Sequence, residues 1–222
     1  MTTRQFLLRP ESELLVWCAR TAVTDELKER IRQRVQEPIE WAVVLDLAGY
    51  HGVGPLLYRN LSTLCSGLVP AESLTQLRRR TQAGALLNRV LTQELVVLCE
   101  AFAAHGVPVM PIKGATLAVS AYGDLTLRDF SDLDLLVPNR SIAEAQAVLL
   151  ALGYERKDPS SDPGETDHEE GPFHVFIKKH TLFRVDLQWV MAHQHFSFQL
   201  DRPEFWQRRT AVQLANKTAQ GL

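Results

Sequence analysis

Two aspartates stand two residues apart at the start of an apolar run, in Ser131-Asp132-Leu133-Asp134-Leu135-Leu136-Val137. Side chains alternate between the faces of a β-strand, so Asp132 and Asp134 would point the same way, about 7 Å apart along the backbone. Aspartate is a poor strand former, and like charges on one face repel each other. A hard divalent cation relieves that repulsion because it takes several carboxylate oxygens as ligands. The alternative is a solvated strand end before a buried run.

A third acid lies on a later predicted strand, Leu182 to Trp189. One face of that strand would be apolar, and the opposite face would carry Arg184, Asp186 and Gln188. If this strand neighbours the first one, the three carboxylates could hold two Mg²⁺ ions, or Mn²⁺ in their place, about 3.5–4 Å apart. Such a pair of ions serves in-line displacement at phosphorus. Alternatively, Asp186 is an exposed acid that pairs with Arg184.

A lysine and a glycine separate an apolar run from a predicted short helix, in Pro111-Ile112-Lys113-Gly114-Ala115-Thr116. Gly114 permits close backbone approach, and the first N–H groups of the helix are available to an anion. Lys113 adds a point charge suited to phosphate. The alternative is an ordinary turn. Arg128 is similarly ambiguous, as a phosphate ligand or as the structural partner of a nearby aspartate.

Helices are predicted for the first hundred residues. The apolar spacing and the end signals indicate helices between Thr24 and Pro38, over Ile39 to Gly49, after Gly54, and over Ala71 to Ala104 with Gly106 beyond the end. Leu14 to Ala19 is only a short apolar run. We predict a helical N-terminal domain over residues 1–105.

The remaining residues mix strands and helices. An edge or irregular strand (Val107 to Ile112), a short helix (Ala115 to Ala121), a strand (Asp132 to Val137) and a helix from Ser141 to Leu152 are predicted in that order. A mobile loop over 158–171 precedes strands Phe173 to Lys178 and Leu182 to Trp189, a short helix near Pro203 to Arg208, and a weakly patterned tail. The predicted class is α+β, with the second domain over 106–222.

The composition excludes several classes of protein. The chain has 222 residues, 24 basic and 26 acidic, for a net charge of −2, whereas generic nucleic-acid binders carry a basic excess. The three cysteines fit no zinc spacing and no secreted disulfide framework. We expect no membrane segment and no signal peptide, and therefore a cytoplasmic location.

The order of these motifs resembles a known family. K-G-x-x-L from Lys113 to Leu117, then Tyr122, then R-x-x-x-D-h-D-h-h-V from Arg128 to Val137 (h apolar) is similar to the uncharacterised bacterial nucleotidyltransferase-like family of the DNA polymerase β superfamily. The helical N-terminal region and the later strand around Asp186 are similar too. The resemblance covers roughly residues 12–210.

The resemblance implies a nucleotidyltransferase palm, which is a small mixed sheet flanked by helices. Asp132, Asp134 and Asp186 would be its catalytic and metal-binding acids, and Gly114 would stand in its phosphate-binding turn. The family's glycine–serine is Gly114-Ala115 here, so Thr116 or Lys113 would supply the missing phosphate contact. Members usually continue into a helical C-terminal part, which we expect residues 106–222 to lack.

Two functions are consistent with these features. The first is transfer of a nucleoside monophosphate from an NTP to a small molecule or a protein, with nucleic acid disfavoured as acceptor by the near-neutral charge. The alternative is a non-catalytic module that binds nucleotide or a partner on the same fold. Three retained acids favour the enzyme, whereas Ala115 and the short C-terminus favour the alternative.

Overall fold

The computed structural model describes residues 9–157, 173–181, 183–190, 202–214 and 217–221. The helices in this part of the chain are α1 (Pro10–Cys18), α2 (Asp25–Arg34), α3 (Trp41–Tyr50), α4 (Gly54–Leu64), α5 (Ala71–Ala104), α6 (Gly114–Tyr122), α7 (Ile142–Ala151) and α8 (Pro203–Gln207). The strands are β1 (Met110–Ile112), β2 (Leu133–Leu136), β3 (Tyr154–Arg156), β4 (Phe173–Lys178), β5 (Arg184–Gln188), β6 (Thr210–Leu214) and β7 (Lys217–Gly221). The predicted loop over 158–171 lies outside the described residues. The predicted α+β class is confirmed.

The helix ends follow local sequence signals. The hydroxyl of Thr24 accepts the N–H of Leu27 at 3.4 Å and caps α2. Helix α5 has the predicted bounds, and Gly106, with φ at 68°, follows it in the left-handed region that glycine tolerates. Ser141 stands at the N-cap of α7, but its side chain makes no capping hydrogen bond. No helix in the described part of the chain is long and apolar enough to cross a bilayer.

Two compact units make up the chain. The first contains Met1–Leu86 and Asp124–Phe130, and the second contains Leu87–Gly123 and Ser131–Leu222. The boundary falls inside α5, whereas the domain division at residue 105 stays a prediction from the sequence. Within the first unit, α1 to α4 enclose an apolar core that includes Leu14, Ile31, Val44, Leu57 and Leu61.

The second unit is built on a sheet with strand order β1-β2-β5-β4-β3. Strands β2 and β5 are parallel, and the other neighbours in the sheet are antiparallel. Strand β1 lies at the edge, as predicted for a strand that contains Pro111. This is the small mixed sheet flanked by helices that the resemblance implies.

Helices α5 and α7 are attached to one face of this sheet. Gln146 of α7 lies 2.8 Å from His174 of β4, and Glu94 of α5 accepts hydrogen bonds from Tyr154 and Lys178, each at 2.7 Å. On β5, Val185 and Leu187 alternate with the polar residues and are fully buried. The polar residues of β5 therefore occupy the opposite face of the sheet.

Four elements were not predicted from the sequence. Helix α1 begins at Pro10, where proline suits a helix start, but the sequence pattern indicates only the short apolar run Leu14 to Ala19. Strand β3 has three residues, too few for a periodic pattern. The weakly patterned tail forms the antiparallel hairpin of β6 and β7, which packs on α6 and β1.

Candidate active site

Two of the three predicted acids stand opposite each other in the sheet. Asp134 of β2 pairs in register with Asp186 of the parallel strand β5, and both residues are buried, at 7% and 8% exposure. Residues opposite each other in a ladder point to the same face, so the two side chains share one face of the sheet. Asp132 lies one residue before β2 and is partly buried. We call Asp132, Asp134 and Asp186 the acid cluster.

The electrostatics of Asp134 indicate that the three carboxylates interact. Burial raises the pKa of the Asp134 carboxyl, the Lys113 ammonium opposes that rise, and the charges of Asp132 and Asp186 add to it. One carboxylate oxygen, Oδ1 of Asp134, accepts hydrogen bonds from Lys113 Nζ at 3.0 Å and from Gln188 Nε2 at 2.6 Å. A lysine and an amide therefore compensate the buried charge.

Asp186 has a cation of its own. Arg184, two residues earlier on the same face of β5, donates Nε to Oδ1 at 2.8 Å and Nη2 to Oδ2 at 3.2 Å. Both oxygens of the carboxylate thus face one guanidinium in a bidentate pair. The sequence offered this pairing as the alternative for Asp186, and the structure contains it together with the approach to Asp134.

The donor chemistry of the acid cluster fits Mg²⁺, although its present contacts are with the chain's own cations. Three aspartates on adjacent strands provide the hard oxygen ligands that Mg²⁺ prefers. Among the described residues, however, no group of three or more His, Cys, Asp or Glu is arranged to hold a metal ion. Metal binding would therefore require the cluster to release at least one contact with the chain's own cations, Lys113 and Arg184.

The turn between β1 and α6 presents Lys113 to the acids. Lys113 has φ 57° and ψ −142°, and Gly114 also has positive φ, at 39°. The hydroxyl of Thr116 donates to the carbonyl oxygen of Lys113 at 2.6 Å, which braces this backbone from inside the helix. No side chain caps the start of α6, so its first N–H groups carry the partial positive charge of a helix N-terminus.

The predicted nucleotide-binding residues have different positions in the structure. Lys113 and Gly114 lie in the turn before α6, and Lys113 contacts Asp134. Thr116 is 4% exposed and its hydroxyl bonds to backbone, which makes it a support for the turn. Arg128 belongs to the segment Asp124–Phe130 of the first unit, and its role as a phosphate ligand stays a prediction.

Sequence reasoning missed the part that Gln188 plays. Its amide Nε2 lies 2.6 Å from Asp134 Oδ1, from the neighbouring strand. The alternation of Arg184, Asp186 and Gln188 on one strand face was a usable signal, because it places all three beside Asp134 once the strands pair.

An apolar cluster lies beside the acids on the same sheet face. Ile112 pairs with Asp134 and Met110 with Leu136, so these apolar side chains share the face of the acids. Trp206 of α8 packs against them. Apolar cover of this kind lowers the local dielectric and strengthens the attraction between the carboxylates and any cation.

Comparison with known proteins identifies the family. No curated protein matches the chain. The family described as "Uncharacterised nucleotidyltransferase" matches residues 37–222, which include α3 to α8 and every strand described above. The chain therefore belongs to this uncharacterised nucleotidyltransferase family.

Proposed function

We propose that the protein is a Mg²⁺-dependent nucleotidyltransferase that transfers a nucleoside monophosphate from an NTP to a small molecule or a protein side chain. Membership of a nucleotidyltransferase family supports the general kind of reaction and a nucleotide substrate. The observation that carries the proposal is the in-register pairing of Asp134 and Asp186, with Asp132 close enough to raise the pKa of Asp134.

The acid cluster would hold Mg²⁺, with Mn²⁺ as a substitute. Bound there, the metal would supply charge neutralisation and in-line orientation for displacement at phosphorus. Asp186 would also orient the acceptor hydroxyl and take its proton. The acceptor oxygen then bonds to the α-phosphorus, the bond from that phosphorus to the bridging oxygen of the β-phosphate breaks, and pyrophosphate leaves.

The turn before α6 would receive the triphosphate. Lys113 has an exposed ammonium beside Asp134. The N–H groups at the start of α6 have the partial positive charge that attracts anions to a helix N-terminus. Ala115 stands where the family pattern has a serine, and it is 1% exposed. We therefore assign the phosphate contacts to Lys113 and to backbone N–H groups, and we assign Thr116 to bracing the turn.

A labelling assay tests this function. The purified protein is incubated with α-labelled ATP, GTP, CTP or UTP, Mg²⁺ or Mn²⁺, and cell extract, and transfer of label and release of pyrophosphate are measured. We expect Asp132→Asn, Asp134→Asn and Asp186→Asn each to lower the rate by at least about 100-fold. Asp46→Asn, at an exposed position on α3, is the matched control and should leave the rate unchanged.

The second candidate is a nucleotide-binding module without turnover. The pairing of Lys113 with Asp134 and of Arg184 with Asp186 favours it, because these pairs neutralise carboxylates that a catalytic metal would need. NTP binding with no transfer above the Asp132→Asn/Asp134→Asn background would support this candidate and contradict the enzyme.

A further inference from the structure

We propose that Lys113 and the divalent metal compete for the Asp134 carboxylate, and that the lysine moves to the nucleotide's phosphates when the metal arrives. The inference rests on the proposed function and adds a mechanism by which the same site couples metal binding to nucleotide binding. Metal binding and nucleotide binding would then be linked through one side chain, since each ligand removes an obstacle to the other.

The contact itself places the lysine where a metal would act. Lys113 Nζ lies 3.0 Å from Oδ1 of Asp134, the buried acid of β2. Arg184 neutralises Asp186 in the same way, but with a bidentate pair that fixes both oxygens. The lysine makes a single contact with its carboxylate. Replacing it with a metal therefore costs less free energy than replacing Arg184.

Burial decides which partner of the pair moves. The Lys113 side chain is 56% exposed, whereas the Asp134 side chain is 8% exposed and is also held by Gln188. A flexible four-carbon stem lets the ammonium leave towards solvent, while the carboxylate stays in the sheet. The exchange therefore consists of lysine departure from a fixed carboxylate.

The backbone at Lys113 supports a functional reason for the side chain. Its φ of 57° and ψ of −142° belong to a region that glycine adopts readily and other residues avoid. A glycine would suit this position better, so the fold alone gives no reason for a lysine. The side chain reaches a buried acid, and the residue itself stands at the N-cap of α6, so it lies beside both partners that the exchange requires.

Two affinities measured separately test the exchange. Mn²⁺ alone is titrated into the full chain at pH 8 and free Mn²⁺ is followed by EPR, and ATP binding is measured in EDTA by calorimetry. For Lys113→Met we expect Mn²⁺ to bind about 5-fold more tightly, because a competing charge is gone, and metal-free ATP to bind about 10-fold more weakly. Lys113→Arg keeps the positive charge. Its affinities for Mn²⁺ and for metal-free ATP should both stay close to those of the wild type.

The matched control is Lys179→Met in the same unit. Lys179 lies 2.8 Å from Glu155 and has 55% side-chain exposure, close to that of Lys113, but it does not contact the acid cluster. It should change neither affinity. Circular dichroism verifies that each variant is folded, and Lys113→Gly replaces Lys113→Met if that variant is not.

The outcomes separate this inference from the proposed function. Equal or weaker Mn²⁺ binding by Lys113→Met would overturn the exchange while leaving a metal site in place. Absence of Mn²⁺ binding in the wild type, in Lys113→Met and in Asp134→Asn alike would overturn the metal-dependent function and the exchange with it. Tighter Mn²⁺ binding together with weaker ATP binding supports both.

Discussion

At the scale of single residues, the acid cluster is an excess of negative charge that the chain compensates only in part. Within the described part of the chain, the three carboxylates have contacts with two cations, Lys113 and Arg184, and with the neutral amide of Gln188. Burial of an ionised carboxylate is costly unless it is paired and hydrogen-bonded. The site is consequently stable without a metal and still carries one more negative charge than positive, which leaves it attractive to a divalent cation.

Lys113 allows a prediction in which backbone and side-chain effects are separated. Lys113→Gly and Lys113→Met both remove the ammonium from Asp134, but only glycine relieves the positive φ. We expect Lys113→Gly to unfold with a free energy about 1–2 kcal/mol higher than Lys113→Met, as measured in urea. Equal stability would mean that residue 113 does not carry the strain that its dihedral angles indicate.

The residue pattern predicted the acids better than their partners. Alternation along a strand was sufficient to place Asp186 and Gln188 on one face. The contact between Lys113 and Asp134 could not be predicted in the same way, because the two residues are 21 positions apart and meet only when β1 pairs with β2. Partners that meet through sheet order leave no local periodic signal.

At the scale of elements, α5 contains a glycine at a position where a neighbouring side chain leaves no room for a larger residue. Gly84 lies in the interior of this 34-residue helix, where glycine costs about 1 kcal/mol relative to alanine. A methyl group at Gly84 would overlap Oδ1 of Asp129, a residue of the same compact unit. The close approach of this carboxylate therefore explains why the helix tolerates the glycine.

A double-mutant cycle tests this explanation. Gly84→Ala should give no gain in the free energy of unfolding of the wild type, because the clash offsets the better helix propensity. In an Asp129→Ala background, the same change should stabilise by about 1 kcal/mol, measured by urea unfolding. Additive effects of the two substitutions would show that the carboxylate does not constrain position 84.

Elements were predictable where the sequence pattern is long and has clear ends. Helix α5 has many apolar repeats and a glycine after its end, and its bounds were predicted correctly. The hairpin of β6 and β7 was missed because Val212 and Leu214 are the only buried apolar residues identified on its five-residue strand β6. Such a short strand is stabilised by its packing on α6 and β1, which the sequence does not reveal.

At the scale of the whole molecule, the proposed chemistry is concentrated in one of two compact units. All three acids, Lys113 and Gly114 belong to the second unit, which includes the five-stranded sheet. The first unit has its own apolar core. A ligand of the acid cluster should therefore stabilise the second unit directly.

Two cysteines report on the units separately. Burial raises the pKa of the Cys18 thiol in the first unit and of the Cys99 thiol in the second, each to about 12. At pH 8 both thiols are largely protonated in the folded state, and Cys18 is buried whereas Cys99 is partly exposed, so local opening should speed labelling of each thiol. The rate of thiol labelling should then rise with the frequency at which each unit opens.

We expect Mn²⁺ at ten times its Kd to slow labelling of Cys99 by about 10-fold and to change labelling of Cys18 by less than about 2-fold. The measurement uses chains with one remaining cysteine, Cys65→Ala/Cys99→Ala and Cys18→Ala/Cys65→Ala. Asp134→Asn should abolish the protection, because the proposed metal site would then lack its buried carboxylate. Equal slowing at both cysteines would mean that the two units open together, and would contradict a ligand effect confined to the second.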